Sequence, residues 1–176
     1  MNIIILGDIM FKKIFINSLI SLGLCFIAHN IYKWIPNNLT AIFFPVNESI
    51  WEHMKMLFTV FMISGFISYI LFDDNNIVIA SFVSGILSII FYLIMFLPFN
   101  SENKVLIFGV LIIDIIISEY IRYLIINKPY TKYNKLAYLL IIISYIIFGY
   151  LTFRPIKTKL FKDTIENKYG INTYII

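Results

Sequence analysis

Between Pro45 and Lys55 the chain reads Pro, Val, Asn, Glu, Ser, Ile, Trp, Glu, His, Met, Lys. Two carboxylates, an imidazole, an amide and a hydroxyl are thus gathered in a chain made mostly of Ile, Leu, Phe and Tyr. Three chemistries suit Asn47, Glu48, Ser49, Glu52 and His53. The first is helix capping: Asn47 or Ser49 as N-cap, Ser49 with Glu52 as a capping box, and both glutamates at the positive end of a helix dipole. The second is general acid–base work by Glu48, Glu52 and His53. The third is a divalent metal held by the same three side chains, with a neighbouring helix completing the shell. Their spacing matches no standard zinc motif. Glu48 and Glu52 are four apart and so are expected to stack on one helix face together with Lys55, while Ser49, His53 and Met56 form the adjacent stripe. Carboxylates stacked in this way require a cation: Lys55, a basic residue of the carboxyl-terminal tail, or a metal.

Other polar residues stand alone in apolar runs. Asp114 lies near the middle of its run, where an aspartate costs about 2.5–3.5 kcal/mol to insert, so it is expected to face a bundle interior. Ser118 or serines of the preceding run could hold it as a neutral acid, and the alternative is a functional role. Glu119 has Arg122 three residues on and reads as a structural ion pair. His29 ends the first apolar run on the same side as His53, which keeps a metal in view. Asp163 sits in a polar tail that returns to that side. Cys25 is the only cysteine, which excludes an intramolecular disulfide. No glycine-rich phosphate loop, Ser-His-Asp spacing or cysteine pair occurs, which argues against a nucleotide-driven pump.

The elements that must position these residues are membrane helices. Hydrophobic residues make up 60% of the 176 positions and charged ones 14%, with a mean hydropathy of +0.88, against about 45–50% and about 25% in soluble domains. The fold class expected is all-α, a polytopic helix bundle forming one domain over residues 1–176. Five spans are read at about 14–32, 54–72, 77–99, 104–126 and 136–153, followed by a tail at 154–176. Translation from Met1 or from Met10 is left open, and the Lys12-Lys13 pair precedes a run too long for a signal peptide. Turn chemistry follows at Asp73–Asn76, Asn100–Asn103 and Asn127–Lys135.

Only the connection from Lys33 to His53 is long. Its Leu39–Phe44 segment is expected to lie in the interface or dip into the bundle, and Trp34 and Trp51 to form an aromatic belt. One glycine per span and the Ala80, Ser81, Ser84, Gly85, Ser88 series predict close helix contacts, with the third span central. The net charge of +4 is spread beside apolar runs, so it points to the lipid bilayer as partner and not to nucleic acid. Six basic residues on one face against eight on the other leave the orientation open. Five crossings put the long connection and the tail on one face.

The run Asn47-Glu48-Ser49-Ile50-Trp51-Glu52-His53, preceded by Pro45-Val46, resembles the signature of a family of uncharacterised bacterial multi-pass membrane proteins, a domain of unknown function. Phe153-Arg154-Pro155, Leu160-Phe161-Lys162-Asp163 and Tyr169-Gly170-Ile171 are similar to its second motif, with Thr164 where a proline usually stands and Asn167-Lys168 in place of a small turn pair. The resemblance implies an integral membrane protein with both motifs on one face, and brings no activity, substrate or cofactor. Two functional readings stand. One is a non-catalytic protein of the cell membrane, a small transporter or partner subunit. The other is a membrane-embedded lipid-modifying hydrolase or transferase using Glu48, Glu52 and His53, with a divalent metal as the cofactor it would take.

Overall fold

The computed structural model describes residues 3–99, 104–129 and 131–171. Six α-helices follow in order: α1 Ile3–Trp34, α2 Asn38–Phe43, α3 Ile50–Phe72, α4 Ile77–Phe99, α5 Lys104–Ile126 and α6 Tyr133–Phe153. A short 3-10 turn, Lys159–Phe161, lies in the tail. No strand occurs among the described residues beyond an isolated antiparallel bridge between Lys162 and Tyr169.

Helix starts and stops follow local side-chain chemistry. Asn37 caps α2 by accepting from the Thr40 amide, while the Thr40 hydroxyl accepts from the Asn37 amide. Ser49 caps α3 by accepting from the Glu52 amide. Asp73 closes α3 in the left-handed conformation, with φ 50°. The long connection therefore contains a helix of 6 residues, and its buried Ala41 and its Ile42 pack it onto α6 at Gly149.

Among the described residues, four helical stretches are long and apolar enough to cross a membrane: Met10–Trp34, Ile50–Phe72, Ile77–Met95 and Tyr133–Phe153. The count of five differs at α5, whose 23 residues include Lys104, Asp114, Glu119 and Arg122, too many charges for composition alone to qualify it. Asp114, Glu119 and Arg122 are all buried, whereas Ile113, Ile116, Ile117, Tyr120 and Leu124 form its exposed face. The Asn100–Asn103 connection lies outside the described residues.

α3 is the most enclosed helix, while α4 is central as expected in that it packs against α3, α5 and α6. From Trp51 to Phe61 every side chain except His53 is buried. The cause is that α1 and α4 flank α3 while α2 and the tail cover its first turns. The small residues of α4 do face inward, with Ala80, Ser81, Ser84 and Ser88 buried. A Cβ at Gly65 would run into the Ser81 side chain, so α3 and α4 approach closely there. Gly85 and Gly149 also sit at contacts, against Phe58 and Ile42, whereas nothing lies within 4 Å of a Cβ at Gly23 or Gly109. Trp34 is exposed as a belt residue would be. Trp51 is not: it is buried with its ring 4.8 Å from Phe161 and 5.3 Å from Phe148, because the tail folds over it.

A histidine–glutamate cluster at one end and a polar column through the bundle

Three elements bring His29, Glu48 and His53 together. His29 comes from the end of α1, Glu48 from the connection just before α3, and His53 from the first turn of α3. His29 Nε2 is 3.2 Å from Glu48 Oε2 and His53 Nε2 is 3.6 Å from the same oxygen. The two imidazoles lie with ring centroids 5.5 Å apart. All three ligand atoms are within 4.8 Å of one another, and the side chains are 31%, 23% and 23% exposed in chain order. Lys33, one helical turn after His29, donates to the other carboxylate oxygen of Glu48 at 3.3 Å.

Both motifs hold this geometry. The Glu48 amide donates to Asp163 Oδ2 at 3.3 Å, and its carbonyl accepts from the Thr164 hydroxyl at 3.0 Å. Asn47 accepts from the Ser49 amide at 2.9 Å and donates to the Gly170 carbonyl at 2.9 Å. Asp163 is buried and also accepts from the amides of Ile165 and Glu166, which shapes the turn that meets Glu48. Thr164 thus makes through its hydroxyl a bond that a proline could not. Asn167 takes the left-handed conformation, with φ 58°, that asparagine tolerates better than most residues. Gly170, with φ 70°, passes against Pro155.

The Glu48 carboxyl is lowered from 4.5 to about 2. The hydrogen bond from His29 is the largest cause. Burial opposes it, and the charges of His29 and His53 and the bond from Lys33 add to it. His53 Nδ1 lies 2.9 Å from the Ser49 carbonyl oxygen. A carbonyl only accepts, so that nitrogen carries the proton and Nε2 points toward Glu48.

Glu52 does not join the cluster. Ser49 begins the helix, so Glu48 lies outside it and the two glutamates do not share a stripe. Glu52 is buried in an ion pair with Lys55. It also accepts from the Val46 amide at 3.1 Å and from the Thr152 hydroxyl at 2.9 Å. Lys55 donates to the Ala41 carbonyl at 2.7 Å and to Thr152 at 3.0 Å. The capping box is therefore half made, because the Glu52 carboxylate turns to Val46 and not back to Ser49. The cations at the glutamates are Lys55 and Lys33, and the tail contributes hydroxyl and carboxylate groups instead of a basic residue.

A second polar set runs through the bundle. On α1 every fourth residue from Lys13 is polar or titratable: Lys13, Asn17, Ser21, Cys25, His29 and Lys33. Residues four apart stack on one helix face. Lys13 pairs with Asp74 at 2.6 Å, and Asn17 donates to Ser68, which in turn donates to Asp74. Ser21 donates to Glu119 at 2.6 Å, and Glu119 pairs with Arg122 at 2.6 Å. Arg122 donates to Ser64 at 2.8 Å. Asp114 accepts from Ser88 at 2.8 Å and from Ser118 at 3.2 Å, the serine partners its sequence position suggests. Lys33, Thr152, Asn17 and Ser21 were not singled out by sequence reasoning. The four-residue polar repeat on α1 is the signal that could have found Lys33, Asn17 and Ser21.

No curated protein and no solved structure matches the chain significantly. A family model described as a family of unknown function matches residues 8–171, which includes both motifs, the cluster and the buried column. The chain accordingly belongs to that family, DUF6512.

Proposed function

We propose that the protein is a small transporter of the cell membrane, crossing the bilayer five times with α5 as the fifth span, and that the species it passes or couples to is the proton. The observation that carries this reading is the polar stripe of α1, which meets Asp74, Glu119 and Glu48 along its length. Interhelical contact in lipid is made well by small apolar residues, and intramembrane acids and bases are costly, so a run of them from end to end favours a relay over mere packing. Asn17 Oδ1, Ser81 Oγ and Ser84 Oγ are buried without a protein partner among the described residues, and such atoms take water. Asp114, held by two hydroxyls and by no cation among the described residues, is the group best suited to gain and lose a proton on such a path.

The test is reconstitution into liposomes containing a pH-sensitive dye, with a potassium gradient and valinomycin setting the potential. Proton flux well above that of protein-free vesicles is expected, falling about tenfold in a folded Asp114→Asn variant. Flux equal to that of empty vesicles, or unchanged by the variant, would sink the reading.

A lipid-modifying enzyme is the second reading, favoured by the partly exposed cluster with Lys33 beside it. There His53, its tautomer set by Ser49, would be the acid or base. Mass spectrometry of phospholipid incubated with the protein checks it, and products that do not depend on His53 would exclude it.

A further inference from the structure

We infer that His29, Glu48 and His53 form a binding site for a divalent transition-metal ion, zinc or a neighbour of it in softness. The inference rests on donor chemistry and geometry and does not depend on the transport reading. Two imidazole nitrogens and one carboxylate oxygen form a donor set used for such ions where coordination positions remain open for water or substrate. Ligand bonds of about 2.0–2.1 Å place two donors about 3.3 Å apart across a tetrahedron. The two edges at Glu48 Oε2 are 3.2 and 3.6 Å, and the remaining edge, between the histidine nitrogens, is within 4.8 Å. Small side-chain movements therefore close the set around an ion.

The second observation is the protonation that the Ser49 carbonyl imposes on His53. With the proton on Nδ1, a neutral His53 turns the lone pair of Nε2 toward a carboxylate oxygen. Two lone pairs that face each other are stabilised by a positive centre between them, and a metal ion supplies one. A backbone carbonyl on the far nitrogen is the support that metal-bound histidines usually have. The remaining Glu48 oxygen is taken by Lys33, and the Glu48 backbone is fixed by Asp163 and Thr164. Asp163 and Thr164 are thus positioning residues for the ligand Glu48. Partial exposure of all three donors leaves a route for the ion.

The experiment uses the full chain in detergent, stripped of metal with a chelator and titrated with zinc chloride by calorimetry. A parallel cobalt titration is followed by visible absorption. One zinc per chain is expected, with cobalt giving the intense visible bands of a site of low coordination number. His29→Ala and His53→Ala should each weaken zinc at least tenfold and abolish the cobalt bands. Glu48→Gln, nearly isosteric, keeps the test sharp if a histidine variant does not elute as a folded species. Asp163→Ala should weaken zinc while leaving the ligands in place, and Asp114→Asn should leave zinc unchanged. A parent that binds no zinc at micromolar concentration overturns the inference, as do folded ligand variants that keep the parent's stoichiometry and spectrum.

Discussion

Glu48 and Glu52 are four residues apart and live in different electrostatic worlds. Glu48 is partly exposed and its carboxyl is lowered from 4.5 to about 2 by the hydrogen bond from His29 and the neighbouring charges. A depressed carboxyl contributes stability that is present above the unfolded value and is lost as pH falls through the folded one. The melting temperature of the parent should therefore exceed that of Glu48→Gln at pH 6. The gap should shrink between pH 4.5 and 2, as followed by thermal unfolding in detergent; a gap independent of pH would contradict the assignment. Glu52 and Lys55 are buried, and breaking such a pair from one side costs about 3–5 kcal/mol because the other charge is left uncompensated. Lys55→Met alone should lower stability by about that amount. The double variant Glu52→Gln, Lys55→Met should recover much of it, which a double-mutant cycle measures. Reading the two glutamates as one stripe needed a helix that included Glu48. The Ser49 cap excludes that, and Asn47 and Ser49 are comparable N-cap residues in sequence.

The elements differ in how tightly they are joined, and glycine reports it. Gly65 lies where α3 meets Ser81 of α4, so Gly65→Ala forces a shift and is expected to cost about 1–3 kcal/mol, as overpacking does. Gly23 of α1 has open space around its would-be Cβ, and Gly23→Ala should be neutral or stabilising by up to about 1 kcal/mol. Thermal unfolding of the two variants in one detergent separates them, and equal effects would mean that the α3–α4 contact is looser than described. The tail is the other element with a clear role. Trp51 is enclosed by Phe148 of α6 and Phe161 of the 3-10 turn. Trp51→Ala should cost about 3–5 kcal/mol and release the tail, seen as faster proteolysis after Lys157 or Lys159. The helices themselves were legible because each apolar run is long and bounded by asparagine, aspartate or proline. The burial of Trp51 was not, because an aromatic residue at a span end reads as a belt whenever the segment that covers it lies a hundred residues away.

At the scale of the whole molecule the alternation of helices puts Asn47, Glu48 and the tail at one end. It puts Asp74, Asn76 and the α5–α6 connection at the other, where Asn76 donates to the carbonyls of Lys128 and Pro129. In a Cys25→Ser background, cysteines placed at exposed Asn38 and Glu166 should be labelled from one side of the membrane and one at exposed Lys128 from the other. Labelling of Asn38→Cys and Glu166→Cys from opposite sides would exclude five crossings. Membrane character, the helix pattern and the pairing of Glu119 with Arg122 were determined by the sequence alone, since hydropathy and spacing along one helix are local properties of the chain. Which cation meets which glutamate, that His29 replaces Glu52 beside Glu48 and His53, and that α3 is the enclosed helix were decided only by the tertiary structure. Those facts depend on contacts between residues far apart in the chain, such as Glu52 with Thr152 and Glu48 with Asp163, and no periodicity within a single helix encodes them.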